Sequence, residues 1–195
     1  MQRICVLAGS QPGNRPEYAL AAHTLGRELA GRGLALVYAG AGVGLMAAAG
    51  EAARSAGGEV IGVALHAEQP CGGDSSPTTS WFWAASVEER TALMADLADG
   101  FIALPGGFGT FDELFTLINW AQLGLHAKPI GLLDIGGFFT PLLSLIARAE
   151  SSGFIASGRI PRLLIAQDAP ELLDSLVAAT LDSHLLSVTC KEVAR

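Results

Sequence analysis

The run Pro105-Gly106-Gly107-Phe108-Gly109-Thr110-Phe111-Asp112-Glu113 joins an anion cradle to a carboxylate. It follows an apolar run with strand character, Phe101-Ile102-Ala103-Leu104. It precedes a helix candidate carrying Phe111, Leu114, Phe115 and Ile118. A strand that turns through glycines into a helix leaves backbone N–H groups uncovered, at a place where the helix dipole favours negative charge. Three glycines exceed what one turn needs, and they let a ligand approach the backbone closely. The same residues have a second reading. Thr110-x-x-Glu113 fits a capping box, with Thr110 as N-cap and Glu113 at N3. The glycines would then merely tighten the turn. The direction of the Glu113 carboxylate separates the two readings.

Arg90 is the second residue with chemical potential. Ser86-x-x-Glu89 is a capping box, which starts a helix at Ser86. From Arg90, the residues at +3, +4 and +7 are Leu93, Met94 and Leu97, so the guanidinium lies on the apolar face of that helix. A cation facing inward needs a partner. A structural ion pair, a side chain that snorkels at the helix end and an anion-binding arginine all satisfy that need. Gly42-Val43-Gly44-Leu45-Met46-Ala47 fits G-x-G-x-x-G/A after a strand. It sits in the second βα unit, however, and Val63-Ala64-Leu65-His66 supplies no acid after the next strand. A nicotinamide or flavin site is therefore disfavoured. Trp81, Phe82 and Trp83 form an aromatic cluster that serves either the core, a subunit interface or a wall against a planar base. His126 and Lys128 sit at a helix-to-strand turn, where a cation near a helix C-terminus is ordinary. The four histidines are scattered without metal-ligand spacing, so no metal and no cofactor are expected.

These residues must be held by a scaffold. Short apolar runs at 4–8, 34–38, 59–65, 101–104, 129–133 and 162–165 read as strands. They alternate with helical patterns at 16–30, 43–55, 86–97, 110–123, 138–149 and 169–179. Continuous apolar strands of this kind are buried and parallel. The predicted fold is a single α/β domain over residues 1–181, a Rossmann-like doubly wound parallel sheet with helices on both faces. Residues 66–80 read as a loop, and 182–195 as a loosely held tail. In such a sheet, ligands bind at the carboxyl ends of strands near a topological switch point. That rule brings together the turns at Gly9-Ser10, Ala39–Gly44 and Pro105–Thr110.

Composition narrows the partners. The 195 residues are half hydrophobic and carry a net charge of −7 without a basic stripe, which argues against a nucleic-acid polymer. The three cysteines, Cys5, Cys71 and Cys190, are odd in number and widely spaced, as in a reducing compartment. The apolar run at 4–8 is too short for a signal peptide or a membrane span. A cytoplasmic protein without membrane contact is expected.

The chain resembles the Lonely Guy (LOG) family over about residues 3–180. The resemblance rests on Cys5-Val6-Leu7-Ala8-Gly9-Ser10 with Gly13 and Pro16-Glu17-Tyr18, on Gly44-Leu45-Met46, and on Glu89-Arg90 with Met94. It also rests on Pro105-Gly106-Gly107-Phe108-Gly109-Thr110-x-x-Glu113, on Trp120-Ala121-Gln122-Leu123-Gly124 and on Lys128-Pro129-Ile130-Gly131-Leu132-Leu133. The resemblance implies a Rossmann-like fold and a homodimer or a larger assembly of dimers. It implies hydrolysis of the N-glycosidic bond of a cytokinin-type adenine nucleoside 5′-monophosphate, giving free base and ribose 5-phosphate. Arg90 and Glu113 fall on the family's catalytic pair. Ser10, Arg90, Gly106, Gly107, Phe108, Gly109, Thr110, Asp112 and Asn119 are the implied substrate-binding residues. A carrier of the same fold, binding a nucleotide or phosphate-bearing cofactor without hydrolysing it, is the competing reading.

The chain departs from the family at Ala39-Gly40-Ala41-Gly42, at Thr91, where a lysine is usual, at the Cys71-Gly72-Gly73 region and at Asn119. Members of the family are often labelled possible lysine decarboxylases. A pyridoxal enzyme needs a Schiff-base lysine. The only lysines here, Lys128 and Lys191, stand at a strand entry and in the tail.

Overall fold

The computed structural model describes residues 1–40, 43–67, 78–156, 158 and 161–180. The elements in chain order are β1 (Arg3–Leu7), α1 (Pro16–Gly31), β2 (Ala35–Ala39), α2 (Gly44–Ser55), β3 (Val60–Leu65) and β4 (Ser80–Ala84). They continue with α3 (Val87–Leu97), β5 (Gly100–Ala103), α4 (Phe108–Gln122), β6 (Ile130–Leu133), α5 (Thr140–Ser151) and β7 (Leu163–Ala166). A last helix, α6, runs over 169–180. The seven strands form one sheet in the order β4-β3-β2-β1-β5-β6-β7, and every pairing is parallel. This is the doubly wound α/β domain that the alternation predicts. The tail expected from Asp182 lies outside the described residues, as does most of the loop expected at 66–80.

Alternate residues of the central strands feed two cores, because successive side chains leave a strand on opposite faces. Ile4, Val6, Leu36, Tyr38 and Ile102 pack with Leu25 and Leu29 of α1, Leu45 of α2 and Leu172 of α6. Cys5, Leu7, Val37, Ile61 and Phe101 pack with Met94 of α3, Leu114 and Leu117 of α4, and Phe139. Both faces are therefore covered, which is why these strands read as unbroken apolar runs.

β4 corrects the sequence reading. Ser80 reads as the end of a loop and the three aromatics as a cluster after it, yet residues 80–84 pair with β3 at the sheet edge. Trp81 and Trp83 share one face and stack with centroids 6.1 Å apart, and His66 stacks on Trp83 at the same spacing. An edge strand is covered on fewer sides. Its aromatic run therefore lacks both the alternation and the continuous aliphatic character that marked the other strands.

The winding direction places the site. From β1 the chain steps through β2 and β3 to β4, then crosses back to β5 on the other side of β1 and continues to β6 and β7. The switch point lies between β1 and β5. At their carboxyl ends the Gly9 amide donates to the Pro105 carbonyl at 3.1 Å, which draws the first and third glycine turns together.

Candidate active site

Helix α4 begins earlier than the capping-box reading requires. Gly107 is the N-cap, Phe108 the first helical residue, and no side chain caps the end. Thr110 is therefore N3 and Glu113 lies a further turn inside the helix, so Glu113 is not a cap. The cause is local. Gly106 brings its backbone against Thr110, where an added Cβ would collide with the threonine hydroxyl and come within 2.9 Å of the Gly9 amide. With Thr110 pressed on that glycine and 4% exposed, the helix starts at Gly107 instead. The first amides of α4 are left facing the β1–β5 crevice with a helix dipole behind them.

The neighbouring helix shows the contrast. In α3 the Ser86 half of the expected capping box forms, its hydroxyl accepting from the Glu89 amide at 3.2 Å, while the Glu89 carboxylate accepts from the Ala85 amide, one residue before the N-cap, at 2.7 Å. The start of α3 is thus closed by its own side chains, and the cap fixes Arg90 in the first turns. Met94, one turn on, is buried, so Arg90 leans over the sheet toward α4. Its Nη2 lies 3.8 Å from Oε1 of Glu113, with both side chains largely buried.

Burial pushes the Glu113 carboxyl up to about 7, with Arg90 pulling it down and Asp112 pushing it up. Desolvation dominates because the carboxylate sits in the wall of the fold, and the guanidinium compensates at a distance longer than a hydrogen bond. A carboxyl poised near neutrality in a cleft, beside a cation, makes Glu113 a candidate acid or base. Thr91, at the position of the missing lysine, is buried and donates back to the Val87 carbonyl at 3.1 Å.

Arg90 and Glu113 share a cavity of about 370 Å³ with Ser10, Gly107, Phe108, Gly109 and Thr110. Gly106 lines an adjoining 210 Å³ space that also touches Ser10 and Gly107. The structure thus gathers seven of the expected residues and sets Gly106 directly behind them. It does not bring in Asp112 or Asn119. These two line another cavity, of about 410 Å³, with Phe115, Ile118 and Ile146. They are seven residues apart and share one face of α4, whereas Glu113 is rotated about 100° from Asp112.

Ala8, Ala39, Gly40, Val43 and Met46 complete the described lining. Sequence reasoning did not assign Val43 or Met46 to the site, although the turn before α2 carried a signal. Gly44 there has φ +61°, and a Cβ on it would strike the Ser10–Gln11 backbone. It is a close-approach glycine that seats α2 on the β1 turn, where the Leu45 amide donates to the Gly9 carbonyl at 3.0 Å. Gly42 of the dinucleotide pattern, Ala41 and the Cys71–Gly73 departure lie outside the described residues. Trp81, Phe82 and Trp83 are not among the described lining residues of this cavity.

Lys128 is not among the described residues that line it. Lys128 donates to the Ala95 carbonyl near the end of α3 at 2.6 Å and lines a separate cavity, so it neutralises the end of α3 rather than that of α4. His126 contacts the Leu117 carbonyl at 3.0 Å. Lys191 is outside the described residues. Among the described residues no group of three or more His, Cys, Asp or Glu side chains is placed to hold a metal ion.

Known proteins share this arrangement of sequence and fold. The family model described as possible lysine decarboxylase matches residues 46–176. A cytokinin riboside 5′-monophosphate phosphoribohydrolase of Oryza sativa subsp. japonica is 45% identical over 172 residues, covering 88% of this chain and 71% of its own. One from Arabidopsis thaliana is 40% identical over 175 residues, covering 90% and 82%. A molybdenum cofactor carrier protein from Chlamydomonas reinhardtii has the same fold, with TM-score 0.69 over 91% of this chain and 97% of its own at 18% identity. The matches to the family model and to the plant enzymes show that the chain belongs to the family of possible lysine decarboxylases, the Lonely Guy family.

Proposed function

We propose that the protein hydrolyses the N-glycosidic bond of adenine nucleoside 5′-monophosphates, cytokinin-type nucleotides included, to free base and ribose 5-phosphate. One observation carries the reading: the uncapped N-terminus of α4 and its Glu113, paired with Arg90 of α3, face one cavity. Phe108 and Glu113 are five residues apart, which at the α-helical rise is about 7 Å. A 5′-phosphate on the amides of Gly107 to Thr110 then leaves the ribose beside Glu113. The plant enzymes at 40 to 45% identity act, by name, on nucleotides of this kind.

Breaking the bond builds positive charge on the ribose, by analogy with glycoside hydrolysis. The Glu113 carboxylate stabilises that charge or takes a proton from the attacking water. Arg90 favours the ionised form of Glu113 and offers donors to the phosphate or sugar hydroxyls. Ser10 and Thr110 flank the cradle. Asp112 acts on Glu113 through charge. Binding energy from the phosphate fixes the scissile bond against the carboxylate, and so contributes to kcat as well as KM.

The protein is further proposed to act as a cytoplasmic homodimer, or a larger assembly of dimers, without a nucleic-acid or membrane partner. The net charge of −7 argues against a nucleic-acid polymer, and among the described residues no helix is long and apolar enough to cross a membrane. Exposed apolar side chains around α4 and α5, Phe115, Leu123, Leu145 and Phe154, suit a second copy.

The test is base release. Incubation with AMP should yield adenine and ribose 5-phosphate, and Glu113→Gln and Arg90→Ala should each lower turnover by on the order of a hundredfold or more with the circular dichroism spectrum retained. AMP binding without adenine release would favour a carrier, and normal turnover in both variants would remove the assignment.

A further inference from the structure

We propose that Phe108 and Val43 are the two jaws of a clamp for the nucleotide base, and that the clamp favours purine over pyrimidine because it grips by stacking area. The inference rests on the hydrolase reading for the placement of phosphate and ribose. Its own observations are the exposure of these two side chains and the polar inventory of the cavity.

Phe108 is 92% exposed at the first position of α4, where its backbone belongs to the phosphate cradle and its ring stands free of the core. Val43 is 41% exposed at the N-cap of α2. An N-cap favours Ser, Thr, Asp or Asn, whose side chains satisfy the first amides. Here a valine stands instead, and α2 has no side-chain cap. Both residues line the same cavity, from the starts of two different helices. A lone exposed apolar residue needs no explanation. Two lining one cleft from the starts of different helices point to an apolar ligand surface between them.

The polar groups of the cleft are already engaged. Ser10, Arg90, Thr110 and Glu113 are its described polar side chains, and phosphate and ribose occupy them. The other described side chains, Ala8, Ala39, Val43, Met46 and Phe108, are apolar. Among the described residues no side chain is left to read the edge of a base by hydrogen bonds. Recognition then comes from ring against ring and aliphatic surface. Phosphate and base project from the same side of a nucleotide's sugar, so a ring attached to the cradle itself is in reach of the base.

The experiment compares Phe108→Ala with wild type using AMP, CMP and ribose 5-phosphate. Loss of a stacked ring should raise KM for AMP about tenfold and raise it less for CMP, so that the purine preference narrows. Inhibition by ribose 5-phosphate, which has no base, should be unchanged. Phe108→Trp should keep the AMP value, and Val43→Ala should move KM the same way by a smaller factor. An unchanged KM for AMP would overturn the clamp, as would a parallel loss of ribose 5-phosphate inhibition, which would make the ring a support of the cradle. Dissociation of the variant into monomers with unchanged KM would assign the ring to an interface and also overturn it. If wild type releases no base, the hydrolase reading fails, and calorimetric binding of AMP against ribose 5-phosphate in the same variants still decides the clamp.

Discussion

Glu113 costs stability where it sits. A carboxyl whose folded pKa of about 7 exceeds its ordinary 4.5 binds more protons folded than unfolded between those values. Stability therefore falls as pH rises from about 4.5 to 7 and levels off above. The interval corresponds to about 3 kcal/mol of penalty at alkaline pH. Glu113→Gln should accordingly raise Tm at pH 8 by several degrees, with the gain vanishing near pH 4, while base release is lost. Thermal melts across that range check the sign. If the carboxylate is the working form, kcat/KM in wild type should rise with pH through about 7, and Arg90→Ala should move any residual rise upward, because the cation favours ionisation. Arg90 was legible as a buried cation seeking a partner. Which of the available acids it meets was not, because Glu89 is nearer in sequence yet is used in the cap.

At the scale of the element, the decisive feature is where α4 starts. Local pattern allowed Thr110 as N-cap, and the contact of Thr110 with Gly106, four residues earlier, moved the start three residues back. Gly106→Ala should therefore push the first turn of α4 off the β1 turn. The expected outcome is a loss of about 1–3 kcal/mol of stability and a fall in kcat/KM on the order of a hundredfold from misplacement of the cradle. Gly109→Ala is the control for folding, since a Cβ there meets open space and Tm should hold. Retained kinetics in Gly106→Ala would show that the cradle tolerates the shift. The Ser86 cap formed as read because Ser86 and the Glu89 amide face one another within a single turn.

Over the whole molecule, α4 joins two surfaces. Its start and inner face make the cleft, while Asp112, Phe115 and Asn119 open on a separate apolar cavity beside α5. If that outer face holds a second copy, Phe115→Asp combined with Leu123→Asp should shift the sedimenting species toward monomer. An unchanged mass would place the interface elsewhere. The order of the strands and helices other than β4, the doubly wound class and the glycine turn before α4 followed from the sequence by itself, because hydrophobic period and glycine turns are written in contiguous residues. Strand β4 escaped it, since an edge strand carries a weaker version of that pattern. The meeting of Arg90 with Glu113, the separation of Asp112 and Asn119 from them, and the recruitment of Val43 and Met46 were decided only by tertiary structure. Each depends on the rotation of one helix about its axis and on the crossover from β4 to β5. Those are set by packing between residues distant in the chain, which no local spacing records.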